Sequence, residues 1–215
     1  MDGFAARGSG GQLIYVIPSS NLVVVFTSTL PALNPTNLDL LVKNYIIASI
    51  KSKKLFHRNS NSEVDLVKMI REIGQPPESK PVFQLPEIAK SISGKIFRVD
   101  DKNWFSFKFG ENPNELKLSY INHFNGAKTE IQVGLDDLYR LNQHFINASS
   151  FLGENQLAAK GRWTDDHSLV ITLRPLEEAA TIEMTFTFIQ DRLNFWESMN
   201  DTGKTVWEGK AILEK

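Results

Sequence analysis

The stretch IEMTFTF, residues 182–188, alternates apolar and polar side chains over its whole length. Its apolar members occupy every second position and are Ile182, Met184, Phe186 and Phe188. Because successive side chains of a β-strand point to opposite faces, this period of two predicts a strand with one buried and one solvent-facing side.

The same alternation recurs throughout the second half of the chain. It is clear in FSFKF at 105–109, in LKLSY at 116–120 and in WEGKAIL at 207–213. About eight to ten such runs follow residue 94, separated by polar turns such as Asn125-Gly126. Short strands at this spacing, each apolar on one side, favour a closed antiparallel barrel with an apolar interior. We therefore expect a mainly β protein whose barrel has about eight strands.

The N-terminal part has a different pattern and predicts a partial α+β fragment. Two β-branched runs at Leu13–Ile17 and Leu22–Phe26 flank the turn sequence PSSN, so they predict a hairpin. The run LVVVF does not alternate, which is typical of a strand buried on both faces. Apolar side chains then recur at helical spacing over 38–50 and 64–73 and predict two amphipathic helices, each with its apolar stripe facing inward.

Four prolines lie between residues 75 and 86 and predict an extended linker. Proline fits neither a helix interior nor a central strand, because it lacks the backbone donor that both require. We expect three segments in the chain: a hairpin and helix at 1–54, a helix and linker at 55–90, and the barrel at 91–215.

Composition excludes several classes of function. The 215 residues carry a formal net charge of -1, which favours neither a nucleic acid nor an anionic membrane as partner. Without cysteine there is no disulfide, thiolate nucleophile or cysteine zinc site. The histidines share no metal-ligand spacing, so we expect no metal and no cofactor; they are His57, His123, His144 and His167.

Nothing in the sequence predicts a membrane segment. No run approaches the roughly 20 apolar residues of a membrane-spanning helix. No signal peptide is visible after Met1, because neither a basic region nor an apolar run follows it. The localisation is therefore left open.

The glycine-rich segment before the hairpin is the first candidate site. Glycines just before a strand let the backbone approach a ligand closely, although a flexible leader has the same composition. Residues 2–28, DGFAARGSGGQLIYVIPSSNLVVVFTS, resemble the last hairpin of the serine β-lactamase, penicillin-binding protein and esterase family. The resemblance rests on Gly-Gly-Gln at 10–12, Val-Ile-Pro at 16–18 and Leu-Val-Val-Val at 22–25.

In that family the hairpin strand carries the third active-site motif. The resemblance implies that the motif falls on Arg7, Gly8, Ser9 and Gly10, as a cleft wall and part of an oxyanion hole. The nucleophile motif Ser-x-x-Lys occurs nowhere in the chain, and we expect the Tyr-x-Asn motif to be missing as well, because neither Tyr15 nor Tyr45 begins one.

The hydrolase resemblance thus implies the C-terminal portion of a larger enzyme. That parent would form an acyl-enzyme with an amide, ester or peptide-like substrate, and this chain would be inactive alone. Members of the family are often periplasmic or secreted. Residues 133–141, 158–176 and 185–195 resemble the lipocalin-like domain that follows the hydrolase domain in many of these proteins, above all in GRWTDD at 161–166.

Two alternatives need no enzyme. A lipocalin-like barrel could hold a small ligand in its interior, lined by Phe107, Phe186, Phe188 and Trp207. The other alternative is self-association, in which the exposed strand Leu22–Phe26 pairs with another chain.

Overall fold

The computed structural model describes residues 3–28, 36–50, 60–75, 77–122, 126–146, 154–176, 181–199 and 204–214. These residues form two compact units that divide between Glu78 and Ser79. The finer division at 1–54, 55–90 and 91–215 stays a prediction.

The first unit contains a three-stranded antiparallel sheet in the order β1–β2–β3. Its strands are β1 (Phe4–Arg7), β2 (Leu13–Ile17) and β3 (Leu22–Phe26). Helix α1 (Thr36–Leu41) continues as a π-helical segment, Val42–Ile47. One face of the sheet buries its side chains against Leu38 and Val42 of this helical stretch. The inward side chains of β2, which follow a period of two, and the apolar side chains of the helical stretch thus pack into one small core.

Strand β3 is not buried on both faces, as the sequence predicted. Val24 is buried, whereas Val23 and Val25 are 60% and 61% exposed. The register aligns them with the outward positions of β1 and β2, so the outer face is apolar throughout and consists of Phe4, Ala6, Ile14, Val16, Val23 and Val25. The absence of alternation in LVVVF therefore reflects an apolar outer face and not a second covering layer.

Helix α2 (Ser60–Ile73) forms where the sequence predicted a helix, but its apolar stripe does not face inward. Val64, Val67 and Ile70 are 65%, 42% and 60% exposed. Its length agrees with the spacing of its apolar residues, whereas the predicted burial is wrong.

The second unit contains helix α3 (Glu87–Ile92) and ten strands. The strands are β4 (Ile96–Arg98), β5 (Trp104–Phe109), β6 (Glu115–Ile121), β7 (Lys128–Gly134), β8 (Arg140–Ile146), β9 (Glu154–Trp163), β10 (Ser168–Pro175), β11 (Ile182–Ile189), β12 (Arg192–Met199) and β13 (Lys204–Leu213).

Nine of these strands close into a barrel, which confirms the predicted mainly β, barrel class. The ring runs β10–β11–β12–β13–β4–β5–β6–β7–β9 and returns from β9 to β10. All its pairs are antiparallel except β7–β9, which is parallel and limited to Gly134 opposite Lys160. Strand β8 pairs with β9 outside the ring. The barrel is therefore mixed, and one short parallel contact closes it.

Next to that contact, a side chain replaces backbone pairing. The Asn142 amide nitrogen donates to the Gln132 carbonyl at 2.9 Å, and its amide oxygen accepts from the Gln132 N–H at 2.7 Å. Asn142 on β8 thus satisfies two edge groups of β7 as a neighbouring peptide would. We call the β7–β9 contact together with this amide bridge the seam.

Aromatic rings fill the barrel interior. Phe107 lies 5.0 Å from Phe186 and 5.1 Å from Phe188, measured between ring centroids, and all three side chains are fully buried. Edge-to-face pairs at such distances contribute about 0.5–1.5 kcal/mol each beyond their buried area. The alternating phenylalanines that predicted the strands therefore also build most of the core.

One end of the barrel is covered by residues 79–85, which we call the strap, and by α3. The predicted linker is extended there, but it is hydrogen-bonded to the barrel. The Lys80 N–H donates to the Asp136 carbonyl at 2.8 Å, and the Val82 N–H donates to the Asn114 side chain at 2.7 Å. Ile92 of α3 belongs to the barrel core. The proline-rich sequence thus forms a fixed cover on this end.

Candidate functional site

A cleft opens at the strap end of the barrel. It has a volume of about 1120 Å³ and lies between the strap, α3 and the turn at 164–167 that joins β9 to β10. Its apolar wall includes Val82, Leu85, Ile88, Leu135 and Trp163. We call it the strap-end cleft. Small-molecule sites are usually concave and combine an apolar wall with a few polar groups, and this cleft has both.

Charged side chains surround the mouth of the strap-end cleft. Asp165 and Asp166 lie on the β9–β10 turn, beside Arg162. The His167 backbone N–H donates to Asp165 at 2.8 Å, and this hydrogen bond lowers the pKa of Asp165. Glu87 also lines the cleft and pairs with Lys90 at 2.9 Å. Carboxylates therefore outnumber cations at the mouth.

Two adjacent aspartates fix the strap. Asp136 accepts two hydrogen bonds from Arg140, at 3.0 and 3.2 Å, and one from the Ser79 hydroxyl at 3.0 Å. Burial alone would raise the pKa of Asp136, but these hydrogen bonds outweigh it and lower the pKa below its usual value. Nothing in the local sequence connects Asp136 to the strap, because Ser79 is 57 residues away.

Asp137 completes the attachment from the other side. It binds Lys160 at 2.5 Å and Lys80 at 2.8 Å. Hydrogen bonds from these two ammonium groups lower the pKa of Asp137 to about 2. The carboxylate is therefore ionised at all ordinary pH values, and the strap is held by charge as well as by hydrogen bonds.

Trp163 forms part of the cleft wall and carries an unsatisfied donor. Its ring stacks on Phe109 at 5.9 Å and lies 6.0 Å from Phe188. Its indole nitrogen is buried and has no hydrogen-bond partner among the residues that the structure describes. Leaving a buried donor unsatisfied costs about 1–3 kcal/mol. Nothing in the local sequence around Trp163 distinguishes its N–H from that of any other tryptophan.

A second unusual group lies in the interior, toward the opposite end. Glu197 on β12 is only 4% exposed, and burial raises its pKa to about 7. Tyr120 on β6 is also buried; burial first, and then the Glu197 charge, raise its pKa. The expected absence of a Tyr-x-Asn motif is wrong, because Tyr120-Ile121-Asn122 has that pattern. Tyr120 and Asn122 are 4% and 3% exposed, so the tripeptide belongs to the barrel wall.

The structure brings the predicted interior residues together. Phe107, Phe186 and Phe188 contact one another, and Trp207 lies 4.7 Å from Phe195. These contacts place all four predicted side chains among neighbouring rings. Their role as ligand-binding residues stays a prediction.

The predicted third-motif residues form a closed local structure. Arg7 binds both Asp39 carboxylate oxygens, at 2.8 and 3.0 Å. The Gly8 N–H donates to the Gln12 carbonyl at 2.8 Å, and Ser9 begins a short 3-10 turn. Gly10 has φ 70 there, a left-handed conformation that explains glycine without any ligand.

No model of a known protein family matches the sequence, and no curated protein matches it. Among solved structures, the chain is similar to a secretory abundant heat soluble protein from Ramazzottius varieornatus, taken from a dimer sample. That match has 10% identity, a TM-score of 0.36, and covers 53% of this chain and 70% of that chain. It is also similar to secretory abundant heat soluble protein 4 of the same organism, with 11% identity, a TM-score of 0.40, and 66% and 99% of the two chains covered.

The predicted identity as a fragment of a serine hydrolase is wrong. The similar solved structures are secretory abundant heat soluble proteins, and no hydrolase family model matches. The expectation of a β-lactamase-related, penicillin-binding or esterase activity, with its amide or ester substrate, falls with it. The Gly-Gly-Gln part of the resemblance is explained by turn geometry, because Gly10 and Gly11 both have positive φ. The barrel expectation is unaffected.

Among the described residues, no helix has the length and apolar composition needed to cross a membrane.

Proposed function

We propose that the barrel is a non-enzymatic, lipocalin-like binding module that holds a small amphipathic molecule in the strap-end cleft. The observation that carries the proposal is the cleft itself, about 1120 Å³ in volume, with an apolar wall and a charged mouth. Such a surface binds the apolar part of a ligand by burial and orients its polar part at the mouth.

The packing favours the cleft over the barrel interior. Phe107, Phe186 and Phe188 already contact one another, so a ligand among them would have to displace rings from close packing. The strap-end cleft is open, and the strap side of its wall is fixed by the Asp136 and Asp137 attachments. A wall that is fixed on this side reduces the ordering cost of binding.

Quenching of tryptophan fluorescence tests the site. All four tryptophans lie after Ser79, in the barrel unit, so the emission of the chain reports on the barrel alone. We expect 11-bromo-1-undecanol to quench it by contact with Trp163. Ser91 is exposed and lines the cleft, so Ser91→Tyr should fill the space and weaken quenching about tenfold or more.

The matched control is Ser119→Tyr on the outer face of β6, where the Ser119 hydroxyl contacts Glu130. This variant should quench like the wild type. Quenching that persists in Ser91→Tyr would contradict the cleft as the site. If it then disappears in Trp207→Phe, the ligand belongs in the barrel interior.

A second candidate function is self-association of two copies through the β1–β3 sheet. Its outer face is apolar at every position, and its edge strands β1 and β3 each lack one neighbour in the sheet order. Strand edges next to an apolar face pair readily with an identical edge. Sedimentation velocity should then show a dimer that Val23→Lys abolishes and Ile212→Lys, on the exposed face of β13, leaves intact. A monomer at all concentrations would contradict it.

A further inference from the structure

We infer that the molecule bound in the strap-end cleft presents a neutral carbonyl-type oxygen to the indole N–H of Trp163, so that its class is an amphipathic ketone, ester or amide. This inference rests on the proposed function and adds the chemistry of the ligand to it. It starts from Trp163, whose side chain lines the cleft and whose nitrogen is a buried donor without a partner among the described residues.

Such a donor needs an explanation, because nearly all buried polar groups in folded proteins are paired. The ring neighbours of Trp163 are Phe109 and Phe188, and neither offers an acceptor oxygen in its side chain. An indole nitrogen can only donate, so its complement must be an acceptor. A ligand in the adjacent cleft can supply that acceptor.

The charge of the ligand follows from the mouth of the cleft. Asp165 and Asp166 lie at the mouth beside Arg162, so acidic side chains outnumber basic ones there, and a backbone hydrogen bond from His167 lowers the pKa of Asp165. An anionic headgroup such as a fatty carboxylate would be repelled by these acidic side chains. It would also lose its hydration beside Leu85 and Trp163. A neutral carbonyl oxygen accepts the same hydrogen bond at a much smaller desolvation cost.

The burial of the nitrogen adds a condition. Because the Trp163 nitrogen is closed to solvent, a ligand oxygen reaches it only if the cleft wall shifts slightly. All four residues of the turn at 164–167, directly after Trp163, are exposed, so this part of the wall can shift without disturbing the core. Binding should therefore form a hydrogen bond from the Trp163 N–H that the free protein lacks. This bond should form only when the ligand carries an acceptor oxygen.

A pair of ligands with the same shape isolates this hydrogen bond. 2-Nonanone and 2-methyl-1-nonene differ only in a carbonyl oxygen that is replaced by a methylene group. Calorimetric titration of both ligands into the wild type and Trp163→Phe gives a cycle in which ligand hydrophobicity cancels. We expect Trp163→Phe to weaken 2-nonanone about five- to tenfold and to leave the alkene within about twofold.

Trp196→Phe is the matched control, because Trp196 is 42% exposed on the outside of the barrel. It should leave the affinity for both ligands unchanged. A second measurement needs no variant: of the four indole N–H signals in a proton–nitrogen correlation spectrum, one should move downfield with 2-nonanone and not with the alkene.

The outcomes separate the inference from the proposed function. If neither ligand binds the wild type, the binding function is refuted and the inference falls with it. If both ligands bind, but Trp163→Phe weakens them equally and no indole signal responds to the ketone alone, the binding function stands and the inference is overturned.

Discussion

Glu197 should make the stability of the barrel fall as the pH rises from mildly acidic to mildly alkaline. Burial raises the pKa of this carboxyl from its ordinary 4.5 to about 7 in the folded protein. The folded state therefore holds its proton more tightly than the unfolded chain. The favourable contribution is complete below about pH 4.5, declines as the unfolded chain ionises, and is lost above about pH 7.

The magnitude follows from the two pKa values. The difference between 4.5 and about 7 corresponds to about 3 kcal/mol in total, at roughly 1.4 kcal/mol for each pKa unit. Of this, about 2 kcal/mol falls between pH 5.5 and 8.5, because part of the loss has already occurred below that range. Glu197 is only 4% exposed, so screening by solvent reduces the effect little.

Urea unfolding followed by tryptophan emission measures this difference. We expect the free energy of unfolding of the wild type to drop by about 2 kcal/mol from pH 5.5 to 8.5. Glu197→Gln keeps the shape and removes the ionisation, so it should flatten the curve and exceed the wild type at pH 8.5. Glu208→Gln, on the exposed face of β13, is the control and should follow the wild type. Parallel curves for the wild type and Glu197→Gln would refute the reasoning.

Three further changes test the barrel and its cover. Gly134→Ala should lower the free energy of unfolding by more than about 2 kcal/mol, because the new Cβ would lie 2.0 Å from a backbone carbonyl oxygen. Gly110→Ala is the control and should be tolerated, because the nearest atom to its Cβ is 3.6 Å away. Urea unfolding measures both changes. Phe107→Ala should cost about 3–5 kcal/mol, while Phe83→Ala, at a side chain 96% exposed, should stay within about 0.5 kcal/mol by thermal unfolding. Asp136→Asn should release the strap without unfolding the barrel, so hydrogen exchange of the strap amides should accelerate about tenfold or more while that of the barrel strands is retained; equal protection before and after would contradict the role of this carboxylate.

The barrel could be predicted because its information is local. Ile182, Met184, Phe186 and Phe188 alternate in the sequence and point inward on β11 in the structure. The same alternation could also have identified Glu197. It lies on the inward side of β12 with Leu193 and Phe195, and a carboxyl group at an inward position is expected to have a shifted pKa.

The strap and the closing strands could not be predicted in this way. Ser79 reaches Asp136 across 57 residues, and no spacing rule connects two such distant positions. Strand β9, which closes the ring, has the small residues Ala159 and Gly161 at inward positions. Their weak apolar character hides the alternation of apolar and polar residues that would have predicted a strand. The active-site motif predicted before the hairpin was wrong for a related reason. In a sequence, glycines required by a left-handed turn cannot be distinguished from glycines that let the backbone approach a ligand.

The seam has a consequence for how the barrel opens and assembles. Strands β4–β7 and β9–β13 are two half-shells, each built from neighbouring strands in chain order. Within the described residues, strand pairing joins them at two short lines: Arg98 and Phe97 opposite Ile212 and Leu213 on one side, and Gly134 opposite Lys160 on the other. Local hairpins form quickly, whereas contacts between distant residues form late. Each half-shell should therefore form before the two pair with each other. Under a pulling force, the two half-shells should separate from each other before either unfolds. The Asn142 hydrogen bonds to β7 are among the contacts that must break when they separate.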